Sequence, residues 1–99
     1  MPYSAKGRRI DNNQNDLVRQ IRSIPKTTVA ITSGVGAGFP DIVVGYRGKN
    51  YLLEIKDPRR KPSERRLTPD EQDFVSDWCG QVDVVETIDD VIKVINRNV

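Results

Sequence analysis

Three charged residues at a particular spacing are the chemistry-bearing feature of this chain. Phe39-Pro40-Asp41 is followed, after twelve residues, by Glu54-Ile55-Lys56. Alternate side chains of a strand share a face, so Glu54 and Lys56 point the same way as Leu52. A hairpin centred between Gly48 and Lys49 makes opposed residue numbers sum to 97, with Asp41 facing Lys56 and Val43 facing Glu54. An odd-length loop would send Asp41 to the other face. Two carboxylates joined by a carbonyl or amide oxygen suit Mg²⁺ or Mn²⁺, which prefer oxygen ligands and keep several waters. Such an ion polarises a phosphoryl oxygen and acidifies a water, and Lys56 is placed to orient that water or to offset developing charge. A solvated strand face is the ordinary reading of Glu/Lys alternation. Here Ile42, Val43, Val44, Leu52, Leu53 and Ile55 surround the two acids, and burying carboxylates there is costly without compensation.

The elements that must position these residues follow from periodicity. Asp11 and Gln14 form a box-like cap, and Leu17, Val18, Ile21 and Ile24 recur at helical spacing until Pro25. Gln14 falls on the same inward stripe, an unusual place for an amide. Residues 27–32 are largely β-branched and read as a strand. A glycine-rich loop, Ser33 to Gly38, follows; it lacks a Walker Lys-Ser/Thr and is expected to let a polyanionic ligand approach the metal closely or to make a turn. Residues 41–46 and 51–56 form two more strands joined by Arg47-Gly48-Lys49-Asn50. Residues 57–67, opening DPRRKPSERR, are too polar and proline-rich for regular structure and read as a mobile basic loop.

Thr68, Pro69 and Glu71 open a second helix by cap, first position and capping box. Phe74, Val75 and Trp78 are its expected buried stripe, Gly80 its stop, and Cys79 a small buried residue. Gln72 near its start is expected at the surface, within reach of a bound polyanion or of waters on the metal. Residues 82–85 give a fourth strand, and Thr87 starts a last helix with Ile88, Val91, Ile92 and Ile95 inward. The order is αβββαβα, an α/β fold in which helices flank a central mixed sheet.

Composition narrows the chemistry. The 99 residues include no His and a single Cys. That excludes a Ser-His-Asp triad, His-ligated zinc and an intramolecular disulfide. No apolar run approaches the roughly 20 residues of a membrane span, and no secretory h-region follows the basic N-terminus. A cytoplasmic single domain over 1–99 is expected, with a basic arm at 1–9. The formal charge of +2 conceals a division. Residues 1–66 hold fourteen basic and six acidic side chains, and residues 67–99 hold two and eight. The first part therefore suits a polyanion partner. Lys6, Arg8 and Arg9 in the arm, with Arg59, Arg60, Lys61, Arg65 and Arg66 after the motif strand, are the candidate phosphate-binding cations.

At Pro40-Asp41 and Glu54-Ile55-Lys56 the sequence resembles the PD-(D/E)XK nuclease superfamily. KGRRIDNNQNDLV (6–18), GAGFPDIVVGYRGKNYLLEIKD (36–57) and LTPDEQDF (67–74) look like the stand-alone, phage or bacterial form of its virus-type replication-repair nuclease (VRR-NUC) family. The resemblance implies that Asp41, Glu54 and the Ile55 carbonyl ligate Mg²⁺ or Mn²⁺ and that Lys56 is the catalytic lysine. It implies a restriction-endonuclease-like core and a homodimer that cuts branched DNA such as Holliday junctions, in the host cytoplasm where phage-encoded. Related nucleases often carry a first-helix Glu at the metal. The matching position here is Gln14, a neutral and weaker ligand, with Asp16 as the nearby acidic alternative. That substitution gives the competing expectation of a nuclease-fold DNA-binding module with weak or absent catalysis. A protein-binding adaptor, docking through the acidic C-terminal half, leaves the clustered basic loop unexplained.

Overall fold

The computed structural model describes residues 12–97. Asp11, Lys6, Arg8 and Arg9 lie outside the described residues. The elements are α1 (Asn12–Arg22), β1 (Thr27–Ile31), β2 (Ile42–Tyr46), β3 (Lys49–Ile55), α2 (Pro69–Asp77), β4 (Asp83–Val85) and α3 (Ile88–Ile95). This is the expected αβββαβα order. One four-stranded sheet runs β1-β2-β3-β4, with the first three antiparallel and β4 parallel to β3.

Period-two alternation divides the sheet into unlike faces. Ile42, Val44, Tyr51, Leu53, Ile55 and Val85 point into the core, where Leu17, Val18 and Ile21 of α1 and Val91, Val94 and Ile95 of α3 cover them. Full burial of each such side chain stabilises by about 1.5–3 kcal/mol. Val43 and Leu52 alternate to the other face, where they are only partly covered. Gln14 is buried with the α1 stripe, as its spacing requires. The short parallel strand is lengthened by a side chain, because the Gln81 amide accepts from Leu52 N at 2.8 Å and donates to Leu52 O at 3.0 Å.

The β2–β3 hairpin differs in register from the spacing argument. Tyr46 pairs with Lys49 and Ile42 with Leu53, so opposed numbers sum to 95 and Val43 faces Leu52. Arg47 and Gly48 form a two-residue turn with φ of 52° and 79°. Both central residues are left-handed, the geometry whose twist matches flanking strands. Lys49 and Asn50 therefore pair within the ladder despite their polarity. One further step along the register brings Asp41 opposite Glu54, not Lys56. Shortening the connection from four residues to two keeps the parity, so Asp41 stays on the face of Glu54.

Several packing expectations are corrected. The α2 helix buries no residue fully, and Trp78, its C-cap, is 44% exposed. Phe39, Phe74 and Trp78 instead form an aromatic cluster at the surface, with Phe74 and Trp78 stacked at 4.8 Å and Phe39 edge-on to both. Cys79 is exposed, lying beyond the end of the helix and its C-cap. In α3 the stripe runs through Val91, Val94 and Ile95, leaving Ile92 exposed. The basic loop is more ordered than its composition implies. It contains a 3₁₀ turn at Pro62–Glu64 and ties back through Arg65 to Glu86 at 3.0 Å.

Candidate active site

Strand geometry brings the motif residues together. Asp41 Oδ2 accepts from the Ile55 backbone N–H at 2.8 Å, which fixes the Asp41 carboxylate beside the Glu54 peptide. Thr32 holds the approach to Asp41, its N–H donating to Asp41 O at 2.8 Å and its hydroxyl to Pro40 O at 2.7 Å. Glu54 is 3% exposed, and its Oε1 has no hydrogen-bond partner among the described residues. Lys56 Nζ lies 3.6 Å from Glu54 Oε2 and 2.9 Å from Glu71 Oε1. The backbone beneath it is fixed from two sides, Lys56 N donating to Val85 O at 2.9 Å and Asn13 Nδ2 to Lys56 O at 3.1 Å.

Glu71 is the site residue that sequence reasoning missed. Its capping-box role is as expected, with Thr68 N donating to Glu71 Oε1 at 2.9 Å and Glu71 N to Thr68 Oγ1 at 3.3 Å. That role accounts for the residue completely at the level of sequence and so hides its contact with Lys56, fifteen positions away. The contact depends on α2 approaching the glycine-rich loop closely. A Cβ on Gly38, whose φ is +78°, would lie 2.2 Å from the Asp70 carbonyl oxygen. Gly38 therefore permits helix–loop packing, and the positive φ of Gly36 and Gly38 suits the turn that is one expectation for this loop. Asn13 is a second missed contact, invisible because only the fold places α1 beside the end of β3.

Three carboxylates and one ammonium crowd this corner, and their protonation follows. Burial pushes Glu54 up from its ordinary 4.5 to about 9, reinforced by the Asp41 charge and by the hydrogen bond and charge of Glu71, against Lys56. Burial also raises Asp41, although the Ile55 N–H and a hydrogen bond with Glu54 pull the other way. For Lys56, burial opposes the charged form, but the Glu71 hydrogen bond and charge, joined by Glu54 and Asp41, hold it above its usual value. Burial of Glu71 is likewise outweighed, by hydrogen bonds with Glu54, Lys56 and the Thr68 N–H, and its carboxyl stays below the usual range. Burial and mutual repulsion thus favour the protonated form at the Asp41–Glu54 pair, while Glu71 is held toward its ionised form against Lys56.

The donor set fits a hard divalent ion on one observation in particular, the buried and unsatisfied Glu54 Oε1 opposite Asp41. Among the described residues no three His, Cys, Asp or Glu side chains are by themselves arranged to hold a metal ion. Two carboxylates completed by a main-chain oxygen and water match the habit of Mg²⁺ or Mn²⁺. Asp16 faces solvent and pairs with Arg19 at 3.0 Å, so it takes no part in this cluster.

The loop cations sort into two groups. Arg59 is bound to Asp57 through its backbone and guanidinium, and Arg65 to Glu86. Arg60, Lys61 and Arg66 are exposed and make no ion pair among the described residues. Gln72 is at the surface, as expected, 3.5 Å from Ser76 Oγ. No helix of the described residues is long and apolar enough to cross a membrane.

No family profile and no curated protein matches this chain. A solved structure, that of a VRR_NUC domain protein, is similar at a TM-score of 0.53 and 18% identity, over 87% of this chain and 84% of that one. At that identity the likeness carries the fold alone: the chain shares with that protein an α/β architecture in which helices flank a mixed four-stranded sheet.

Proposed function

We propose that this protein is a VRR-NUC-type, Mg²⁺- or Mn²⁺-dependent endonuclease that hydrolyses phosphodiester bonds in DNA. The observation that carries the reading is Glu54, buried with an unsatisfied oxygen opposite Asp41 and two residues before a partly buried lysine. When bound, the ion would be held by Asp41, Glu54 and the Ile55 carbonyl, and would supply Lewis-acid polarisation of the phosphoryl oxygen and acidify the attacking water. Asp41 is kept aimed at the site by the Ile55 N–H. Lys56 delivers a fixed positive charge to the phosphoryl group as negative charge grows on it, and its partly buried setting makes that charge count for more than in water. The exposed Arg60, Lys61 and Arg66 hold the flanking backbone.

Branched DNA is the proposed substrate and a homodimer the proposed active form. A four-way junction presents two symmetry-related cuts, which a twofold assembly makes in one encounter and a small monomer must make by rebinding. The test is cleavage of linear duplex, flap and four-way-junction DNA by wild type, Asp41→Ala and Lys56→Ala, with Mg²⁺, Mn²⁺ or EDTA. Junction cleavage that needs the metal and falls by roughly 10²–10³-fold in either variant is expected. Cleavage surviving either substitution overturns the site. Binding without cleavage by wild type would favour the DNA-binding module, for which the neutral Gln14 in α1 is the motivating residue.

A further inference from the structure

The reading of the motif as a metal-dependent nuclease leaves Glu71 without a task beyond capping α2. We infer that Glu71 is a positioning residue for Lys56, holding its ammonium against α2 and thereby leaving the Glu54 carboxylate open to a divalent cation. The inference rests on the nuclease reading for its purpose and on contact geometry for its content.

Lys56 has two carboxyl groups within ion-pair range, and the nearer is that of Glu71, at 2.9 Å against 3.6 Å for Glu54. Both side chains of the nearer pair are largely shielded, at 14% and 21% exposure, so the pair is little screened. Glu71 itself is braced, because the oxygen that accepts from Lys56 also accepts from Thr68 N. The helix carrying it is seated against the Gly38 loop. With the Glu71 charge removed, the remaining partner of the ammonium is Glu54. A lysine collapsed onto Glu54 would occupy the oxygens that a cation needs. The capping box and the site thus share one carboxylate.

Glu71→Gln separates the two tasks, because Gln at this helix position also completes a capping box. Manganese binding to the metal-free protein, measured by calorimetry without DNA, is the readout. Affinity for Mn²⁺ is expected to fall on the order of tenfold in Glu71→Gln, the usual scale for removing a group that orients the ligands of a metal. It is expected to recover in Glu71→Gln/Lys56→Met, where no ammonium remains to collapse. Glu71→Asp keeps the charge but is one methylene shorter, and gives a smaller decrease that keeps the test open if the Gln variant folds poorly. Wild-type affinity in Glu71→Gln overturns the inference. A decrease that Lys56→Met fails to rescue also overturns it and makes Glu71 a ligand. Absence of Mn²⁺ binding by wild type removes the site and the inference together. Binding that follows the expected pattern in a protein that cuts no DNA sinks the nuclease reading alone.

Discussion

A carboxyl group that is 3% exposed and flanked by two other acids keeps its proton past neutrality, and Glu54 does so up to about 9. The consequence for the metal-free protein has a definite sign. Between 4.5 and about 9 the folded chain binds a proton that the unfolded chain has released, so stability is full below 4.5 and declines as pH rises through 9. Asp41, also raised, acts in the same direction, whereas Glu71, lowered, loses its contribution only as pH falls. Wild-type melting temperature should therefore drop across that window. Glu54→Gln, neutral and nearly isosteric, should flatten the profile and melt higher than wild type at its alkaline end. Each kcal/mol involved appears as about 4–8 °C in a domain of this size. Thermal scans across pH in the presence of EDTA check this, and an unchanged slope in Glu54→Gln would remove Glu54 as its source. Ligation of the proposed ion by Glu54 would require the proton to leave, so Mn²⁺ affinity of wild type should rise over the same interval.

At the scale of elements, the site depends on how α2 meets the sheet. Gly38→Ala places a methyl on the Asp70 carbonyl and asks a left-handed φ of a residue that disfavours it. A cost of roughly 1–3 kcal/mol is expected, read as a lower melting temperature. Gly34 has nothing within 4 Å of its ideal Cβ and no positive φ, so Gly34→Ala should stay within about 0.5 kcal/mol. Equal effects at the two positions would show that the packing of loop on helix does not matter. In the hairpin, alternation assigns faces, and either an even two- or four-residue connection preserves them. Whether Asp41 meets Glu54 or Lys56 depends on the turn, and nothing in Arg47-Gly48-Lys49-Asn50 announces that Arg47 will take a left-handed conformation usually left to Asn, Asp or Gly.

Over the whole molecule, charge is divided between the two parts of the chain, and the fold decides which cations are available. Arg59 and Arg65 are committed to Asp57 and Glu86, while Arg60, Lys61 and Arg66 face solvent. Replacing any one of the exposed three by Ala should weaken DNA binding. It should also reduce the slope of log affinity against log salt by about 0.9 for each phosphate that is no longer neutralised. Arg65→Ala should act mainly on stability, since it strands Glu86. Fluorescence anisotropy over a salt series, beside thermal unfolding, distinguishes these outcomes. A full slope change in Arg65→Ala would mean that the ion pair opens on DNA.

The order of elements, the inward stripe of α1, the caps of both later helices and the shared face of Asp41 and Glu54 were legible in the residues, because caps and periodicities are local properties. Tertiary structure decided the rest. The exposure of Trp78 and Cys79 follows from how little of α2 the sheet covers, and helix spacing alone carries no information on that. Glu71 reads as a complete capping box in one dimension. It becomes a partner of Lys56 only because Gly38 lets the helix approach, and such a meeting of distant segments has no local signature.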